Sequence, residues 1–262
     1  MKNLDLSTLP AKKRKQIVSC LRAGIQLLYF LFLPSVFTAA FNGVKYIFTQ
    51  LGQGEKIEMT AFVSALLLVC AFTIVFGRFF CGFACAFGSL GDAMHAIYGI
   101  ICKKRKKKPI RIKPELAKKL ALVKYGILLL IALCCFAGVY QKARGTSPWD
   151  VFSMLHAGNF RLSSYIPGIA LLVLILVGMF FEERFFCHFL CPMGAVFSLL
   201  PILPFFTLHR KRENCIRGCS ACTRQCPSAV ELPSDGYVEI SGDCFQCQKC
   251  IDTCPKGNIR CG

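Results

Sequence analysis

Long apolar runs alternate with polar and basic segments along this chain. Four runs, each with one charged side chain at most, approach the ~20 residues that cross a bilayer as a helix: 23–41, 59–77, 120–140 and 162–181. Pro34 is expected to kink the first of them. Two further apolar stretches, 86–102 and 195–208, are interrupted by glycine, charge or proline and are expected to lie at the membrane interface. The pattern predicts an α-helical integral membrane protein with four transmembrane helices.

Charge adds an orientation to this picture. The formal net charge of +18 is concentrated in basic blocks at 12–15, 103–108 and 210–212. Such blocks also occur in nucleic-acid-binding proteins, but between apolar spans they indicate loops kept in the cytoplasm. The polar segments 42–58 and 141–161 then face outward as loops. We therefore expect a multi-pass protein of a bacterial inner or plasma membrane, with both termini cytoplasmic, lipid as a partner and no nucleic-acid partner.

The two halves of the chain repeat one motif. RFFCGFACAFG at 78–88 and RFFCHFLCPMG at 184–194 are identical at seven of eleven positions, with an offset of 106. Each half runs as span, outer loop, span, motif, interfacial segment and basic block, which predicts a parallel repeat about an axis along the membrane normal. The predicted domains are a basic N-terminal segment (1–22), a membrane half with C-x3-C (23–108), a membrane half with C-x3-C-P (109–208) and a cytoplasmic cysteine-rich domain (209–262).

The repeated motif carries cysteines four residues apart, which share one face if they are helical. Two such faces bring together Cys81, Cys85, Cys187 and Cys191. Four thiolates suit an iron–sulfur centre or a single soft metal, so a further redox centre is predicted here. Packing cysteines or a thiol–disulfide couple remain alternatives.

Two arginines open the two motifs. Arg78 and Arg184 are expected at the membrane edge, either as boundary anchors or as charges that offset an anionic thiolate cluster. His188 lies inside the second motif, where the first has Gly82. We interpret it as a hydrogen-bonded interfacial residue rather than a ligand.

The most specific chemistry lies near the C-terminus, where two runs of four cysteines each end in proline. The second run has the spacing C-x2-C-x2-C-x3-C-P of bacterial ferredoxins, in which the fourth thiolate binds the neighbouring cluster. The first run, C-x3-C-x2-C-x3-C-P, is one residue longer at its start. Two [4Fe–4S] clusters are predicted, held by Cys215, Cys219, Cys222 and Cys254, and by Cys244, Cys247, Cys250 and Cys226. Structural zinc and disulfides are the alternatives.

Together these motifs resemble those of the membrane polyferredoxins, over roughly residues 60–258. That family includes the quinol-dehydrogenase membrane component of periplasmic nitrate reduction and the membrane regulator of nitrous oxide reduction. The resemblance implies four transmembrane helices, a small α+β ferredoxin domain of the bacterial two-cluster type, and electron transfer linked to quinones or extracytoplasmic partners. The chain departs from the family at Ala86, where proline is expected, and in the extra residue before Cys219.

The leading functional hypothesis is an electron-transfer component. Electrons would pass between a cytoplasmic donor or acceptor, the clusters, the membrane cysteines and a quinone or extracytoplasmic redox protein. A quinol dehydrogenase proper would need a proton-handling site, for which Glu182, Glu183 and Asp150 are candidates, although a solvated helix end and a turn cap explain them more simply. A redox-sensing or maturation factor for a partner oxidoreductase is the third hypothesis.

Overall fold

The fold was obtained as a computed structural model. It describes residues 11–32, 36–107, 109, 112–160, 163–203, 208–211, 215–228, 230, 236–237 and 242–261. In the N-terminal half the helices are α1 (Ala11–Phe32), α2 (Val36–Gln53), α3 (Ala61–Phe76), α4 (Phe79–Phe83) and α5 (Ala86–Lys104). They are followed by α6 (Pro114–Leu120), α7 (Val123–Phe136), α8 (Pro148–His156), α9 (Ile166–Phe181) and α10 (Pro192–Leu199).

The C-terminal part is small. It contains β1 (Leu208–Arg210), α11 (Ala221–Arg224), β2 (Gly236–Tyr237), α12 (Lys249–Thr253) and β3 (Ile259–Cys261). The strand β1 is central, and both β2 and β3 pair with it antiparallel. Leu208, Cys222 and Ile259 form a separate small core beneath the cysteines of the second run.

Several helices have membrane-spanning character. By length and composition, residues 115–136 and 163–181 can each cross a bilayer, and the pair 19–32 and 36–53, bent by 62°, could supply a third crossing. The helix α3 is apolar but shorter. The prediction of a mostly helical membrane protein is therefore confirmed, whereas the number of crossings remains a prediction. Pro34 lies outside the described residues.

The outer loops were predicted incorrectly. The segment 42–58 is not a loop throughout, because α2 continues to Gln53. Its apolar residues Phe41, Val44 and Phe48 keep helical spacing and face the main core. Lys45 is accommodated in this helix because its ammonium lies 5.2 Å from the centre of the Phe41 ring.

The second predicted loop contains the helix α8. Ser147 caps it by accepting a hydrogen bond from the Asp150 amide at 3.3 Å, and Pro148 occupies the first turn. Both features favour a helix start. Trp149 is buried among aromatic rings of the main core. Asp150 therefore belongs to the first turn of a helix.

The stretch 86–102 was expected to be broken, but it forms the continuous helix α5. Its glycines serve close packing instead of breaking the helix: a Cβ on Gly91 would lie 3.5 Å from the Met179 sulfur on α9. In the second stretch, α10 ends at Leu199, shortly before Pro201, and its place at the membrane interface stays a prediction.

The C-terminal ends of α2 and α7 meet. A Cβ on Gly52 would lie 2.0 Å from the Phe136 carbonyl oxygen, so only glycine fits there. This proximity is what a parallel repeat requires of its first helices, because equivalent ends then lie on the same side of the membrane.

Candidate iron–sulfur sites and their contact with the membrane cysteines

One cavity in the C-terminal part is lined by four cysteines from both runs: Cys215, Cys219, Cys222 and Cys254. Donors surround it: the Asn258 amide lies 3.3 Å from the Cys254 sulfur, and the Asn258 side chain lies 3.7 Å from the Cys215 sulfur. Hydrogen bonds to sulfur are among the features that tune an iron–sulfur cluster. This donor set fits the first predicted cluster.

A second cavity is lined by the complementary set: Cys226, Cys244, Cys247 and Cys250. The loop between these cysteines wraps tightly, with Gln246 and Gln248 at φ 50° and 60°. Burial raises the pKa of the Cys244 thiol to about 12, and the neighbouring thiols Cys247 and Cys226 add to the effect. Four such thiols ionise together only beside strong positive charge, which bound iron supplies.

The structure therefore brings together each group of four that the spacing predicted, including the exchange of the last cysteine of each run. In the described part of the chain, no three His, Cys, Asp or Glu side chains converge as they would around a single metal ion.

The membrane cysteines are arranged differently from the prediction. Neither pair lies on one continuous helix: Cys81 is in α4 and Cys187 in a π-helical turn at 186–190, while Cys85 and Cys191 are extended residues that begin α5 and α10. Pro192 disfavours helical backbone at Cys191, and the Cys191 sulfur accepts a hydrogen bond from the Gly194 amide at 3.2 Å.

All four membrane cysteines are nevertheless buried in the main core. The thiols of Cys85 and Cys187 are neighbours that influence each other's ionisation. Interaction with Cys85, together with Arg184 and Arg78 and against the effect of burial, lowers the pKa of Cys187 below its usual value. Each half of the repeat thus contributes a thiol to the same contact.

The two arginines exchange equivalent contacts between the halves. Arg184 donates to the carbonyl oxygens of Cys81 and Gly82, the latter at 2.9 Å. Arg78 lies 3.5 Å from the carbonyl oxygen of Cys187. Each guanidinium occupies the space that a Cβ would need on a glycine of the other motif. A Cβ on Gly88 would lie 2.2 Å from the Arg184 guanidinium, and a Cβ on Gly194 would lie 2.7 Å from that of Arg78.

These arginines are not boundary anchors. They are 0% and 1% exposed, and a buried guanidinium needs a counterion. Arg184 donates to both carboxylate oxygens of Asp92, at 2.9 and 2.6 Å, and Asp92 also pairs with Arg22 at 2.5 Å. Burial alone would raise the pKa of Asp92, but Arg184 and Arg22 outweigh it and hold this pKa below its usual value.

The counterion of Arg78 comes from the C-terminal part. Arg78 donates to the Gly242 carbonyl oxygen at 3.1 Å and lies 3.5 Å from the Asp243 carboxylate. Asp243 also accepts from Lys124. Lys124 is fully buried and forms this ion pair from within an apolar helix. Residues just before Cys244 are therefore anchored to both membrane halves.

Phe245 packs against both membrane motifs. Its ring lies 4.7 Å from the guanidinium carbon of Arg78 and 6.0 Å from that of Arg184, and it is 1% exposed. The first motif has Gly82 where the second has His188. A Cβ on Gly82 would lie 2.4 Å from the Phe245 carbonyl oxygen, so a side chain does not fit at this position of the first motif. The second cysteine run is thus seated directly on the membrane motifs.

His188 stays neutral in this interface. Its ring meets Phe245 edge-on at 6.3 Å. Burial, assisted by Lys124 and Arg78 and opposed by Asp243, lowers the pKa of His188 to about 4. The ring therefore contributes packing at neutral pH.

The carboxylates considered for proton handling have other partners. Glu183 is buried and forms an ion pair with Lys249, so it is not a solvated helix end. Glu182 accepts a hydrogen bond from the Ile112 amide at 3.0 Å. The carboxylates that do hold the site, Asp92 and Asp243, were missed. An acidic residue in an otherwise apolar or cysteine-rich segment was the available signal, because such a charge is costly unless paired.

Comparisons with known proteins agree with this site. The family described as a 4Fe-4S binding domain matches residues 59–109 and 166–207, and each matched segment contains one membrane motif. An uncharacterized protein of Methanocaldococcus jannaschii, MJ0750, is 27% identical over 92% of this chain and 93% of its own. No solved structure matches the chain.

Two relatives carry informative names. The putative electron transport protein YccM of Escherichia coli is 26% identical over 73% of this chain and 54% of its own. The ferredoxin-type protein NapH of Haemophilus influenzae is 25% identical over 73% of this chain and 64% of its own. The matched domain, these relatives and the apolar helices fit the resemblance to the membrane polyferredoxin family.

Proposed function

We propose that this protein is a membrane-bound electron-transfer component that passes electrons between cytoplasmic iron–sulfur clusters and a membrane quinone or an extracytoplasmic redox partner. One observation carries the proposal: Phe245, between two cysteines of the second cavity, is inserted between the two buried arginines that bind the membrane motifs. A redox centre in that cavity would therefore lie against the membrane part. The names of YccM and NapH support the same class of function.

The proposed cofactors are two [4Fe–4S] clusters, one in each cysteine-lined cavity. When bound, the clusters supply one-electron chemistry. The lining cysteines would hold the clusters in place, and Asn258 donates hydrogen bonds to the sulfurs of two of them, Cys254 and Cys215. The convergence of Cys85 and Cys187 across the repeat supports a further centre shared by the two membrane motifs.

The test uses full-length protein in lipid nanodiscs under anaerobic conditions. Reduction with dithionite should produce the electron paramagnetic resonance signals of reduced [4Fe–4S] clusters, and a short-chain quinone should then reoxidise them. Cys250→Ser, which removes a lining thiol of the second cavity, should slow reoxidation strongly. Clusters that reduce but exchange electrons with neither a quinone nor any extracytoplasmic redox protein supplied would count against the function.

We propose α2, α3, the continuous stretch from α6 through α7, and α9 as the four crossing helices. The helix α2 has 18 residues, a length of ~27 Å at ~1.5 Å per residue. A reporter active only outside the membrane should be silent when fused after Gly262 and active when inserted near Gly54. Activity after Gly262 would contradict cytoplasmic clusters.

The shared membrane centre predicts iron beyond the ferredoxin clusters. Full-length protein should contain more than the ~8 irons of two four-iron clusters. Cys85→Ser and Cys191→Ser should each abolish the excess, because each removes a thiol from the same buried group, and both should keep the ferredoxin signals. Cys102→Ser is the matched control, since Cys102 is equally buried but lies outside the cluster. If only one motif affects iron, the centre is not shared.

A further inference from the structure

A large groove lies between α1 and α5, beside the cysteine-lined cavities. Its volume is about 510 Å³, within the ~300–1,000 Å³ typical of small-molecule sites. The apolar lining comprises Leu27, Phe30, Leu90, Ala93 and Ala96. The polar end comprises Arg22, Gln26, Asp92 and Lys249. A ligand that fits must therefore be apolar along most of its length and polar at one end.

Exposed apolar side chains border the groove. On α1, Leu28, Leu31 and Phe32 are exposed, and on α5 Ile97 and Ile100 are exposed. Exposed apolar side chains on two neighbouring helices indicate contact with membrane. A molecule stored in the bilayer can enter between these helices without passing through water.

The polar end favours a neutral headgroup over a phosphate. Both cations that line it are already in ion pairs, Arg22 with Asp92 and Lys249 with Glu183. The Asp92 carboxylate lines the same end and would repel an anion. Lys249 keeps donors for a carbonyl oxygen, because its ammonium carries three N–H groups and its side chain is 29% exposed although it pairs with Glu183.

The polar end also leads to the second cysteine run. A smaller cavity of about 220 Å³ is lined by Ser19, Arg22 and Lys249, which the groove shares, and it reaches Cys247. Lys249 itself lies between Cys247 and Cys250 in the chain. A headgroup at this end of the groove is therefore next to a cysteine of the second cavity.

We propose that the groove between α1 and α5 binds an isoprenoid quinone, with its headgroup at Arg22 and Lys249 and its tail between the exposed apolar residues of the two helices. The inference rests on the proposed electron-transfer function, because that function supplies the reason for a redox-active lipid at this place. It adds the location of the site and the residues that form it.

The test is photolabelling of full-length protein in phosphatidylcholine nanodiscs with an azidoquinone. Label is expected in peptides covering residues 19–30 and 89–96. Ala96→Trp places a large ring in the groove and should reduce labelling and apparent affinity at least about tenfold, a change of ~1.4 kcal/mol. Leu129→Trp is the matched control, because Leu129 is an exposed apolar residue of another helix, α7, and lies outside the lining, and its labelling should be unchanged.

Three results would overturn the site: label elsewhere, equal label in both tryptophan variants, or displacement of the probe by added phosphatidylglycerol, which would identify a phospholipid site. Ala93→Trp fills the same groove from one turn away on α5. If both variants lose labelling, a folding defect of a single variant does not explain the loss. Cluster signals recorded on the same samples separate the two proposals. Reoxidation by quinone without labelling of the groove refutes the site alone, and labelling without electron transfer refutes the function alone.

Discussion

Cys254→Ser is expected to remove about four of the ~8 ferredoxin irons, and to remove them from the cluster of the first run although Cys254 belongs to the second. The reason is the cavity that Cys254 shares with Cys215, Cys219 and Cys222. Iron content and the resonance signals of the reduced full-length protein measure the loss. A serine at this position leaves one iron without its thiolate.

Double variants separate crossed from uncrossed ligation. If Cys254 and Cys222 hold the same cluster, the double variant should lose no more iron than either single variant. Combining Cys254→Ser with Cys250→Ser should then remove both clusters. Uncrossed ligation predicts the reverse pattern in the two double variants. Cys102→Ser, a change at a buried cysteine that lines neither cavity, should leave these irons in place.

Arg184→Ala is expected to lower the free energy of unfolding by about 3–5 kcal/mol, the usual cost of removing one partner of a buried ion pair. The change leaves the Cys81 and Gly82 carbonyl oxygens without their donor and removes one of the two arginines that pair with Asp92. Lysine cannot replace the paired donors of a guanidinium, so Arg184→Lys should recover little. Unfolding in mixed detergent micelles, followed by exposure of buried thiols, gives the measurement.

Gly88 provides a second way to test this contact. A Cβ on Gly88 would lie 2.2 Å from Arg184 Nη1, so Gly88→Ala should displace the guanidinium and reproduce most of the effect. Because both changes break one contact, the double variant should be much less destabilised than the sum of the single variants. Arg105→Ala, at an exposed helix end, should change stability by no more than ~0.5 kcal/mol. Additive effects of Gly88→Ala and Arg184→Ala would show that the two residues act separately.

The groups of cysteines could be predicted because their chemistry is local. Three thiolates within seven residues can surround one corner of a cluster whatever the rest of the chain does. The repeated motif was equally visible, since identity at a fixed offset requires no structure. The positions of helix ends were less accessible: Lys45, Glu55, Lys56 and Glu58 suggested a loop over 42–58, but the apolar face of α2 continues past Lys45 and the helix ends at Gln53.

The sequence by itself determined the class of membrane protein, the two halves and the cysteine groups, because apolar length, sequence identity and ligand spacing are properties of short segments. Only the tertiary structure decided what the buried charges do. Asp243 lies 165 residues from Arg78, and Asp92 lies 92 residues from Arg184. No local pattern links such pairs; a buried charge requires a partner, but the fold selects which one. The same holds for Phe245, whose place between the two arginines exists only once both halves and the second cysteine run have assembled.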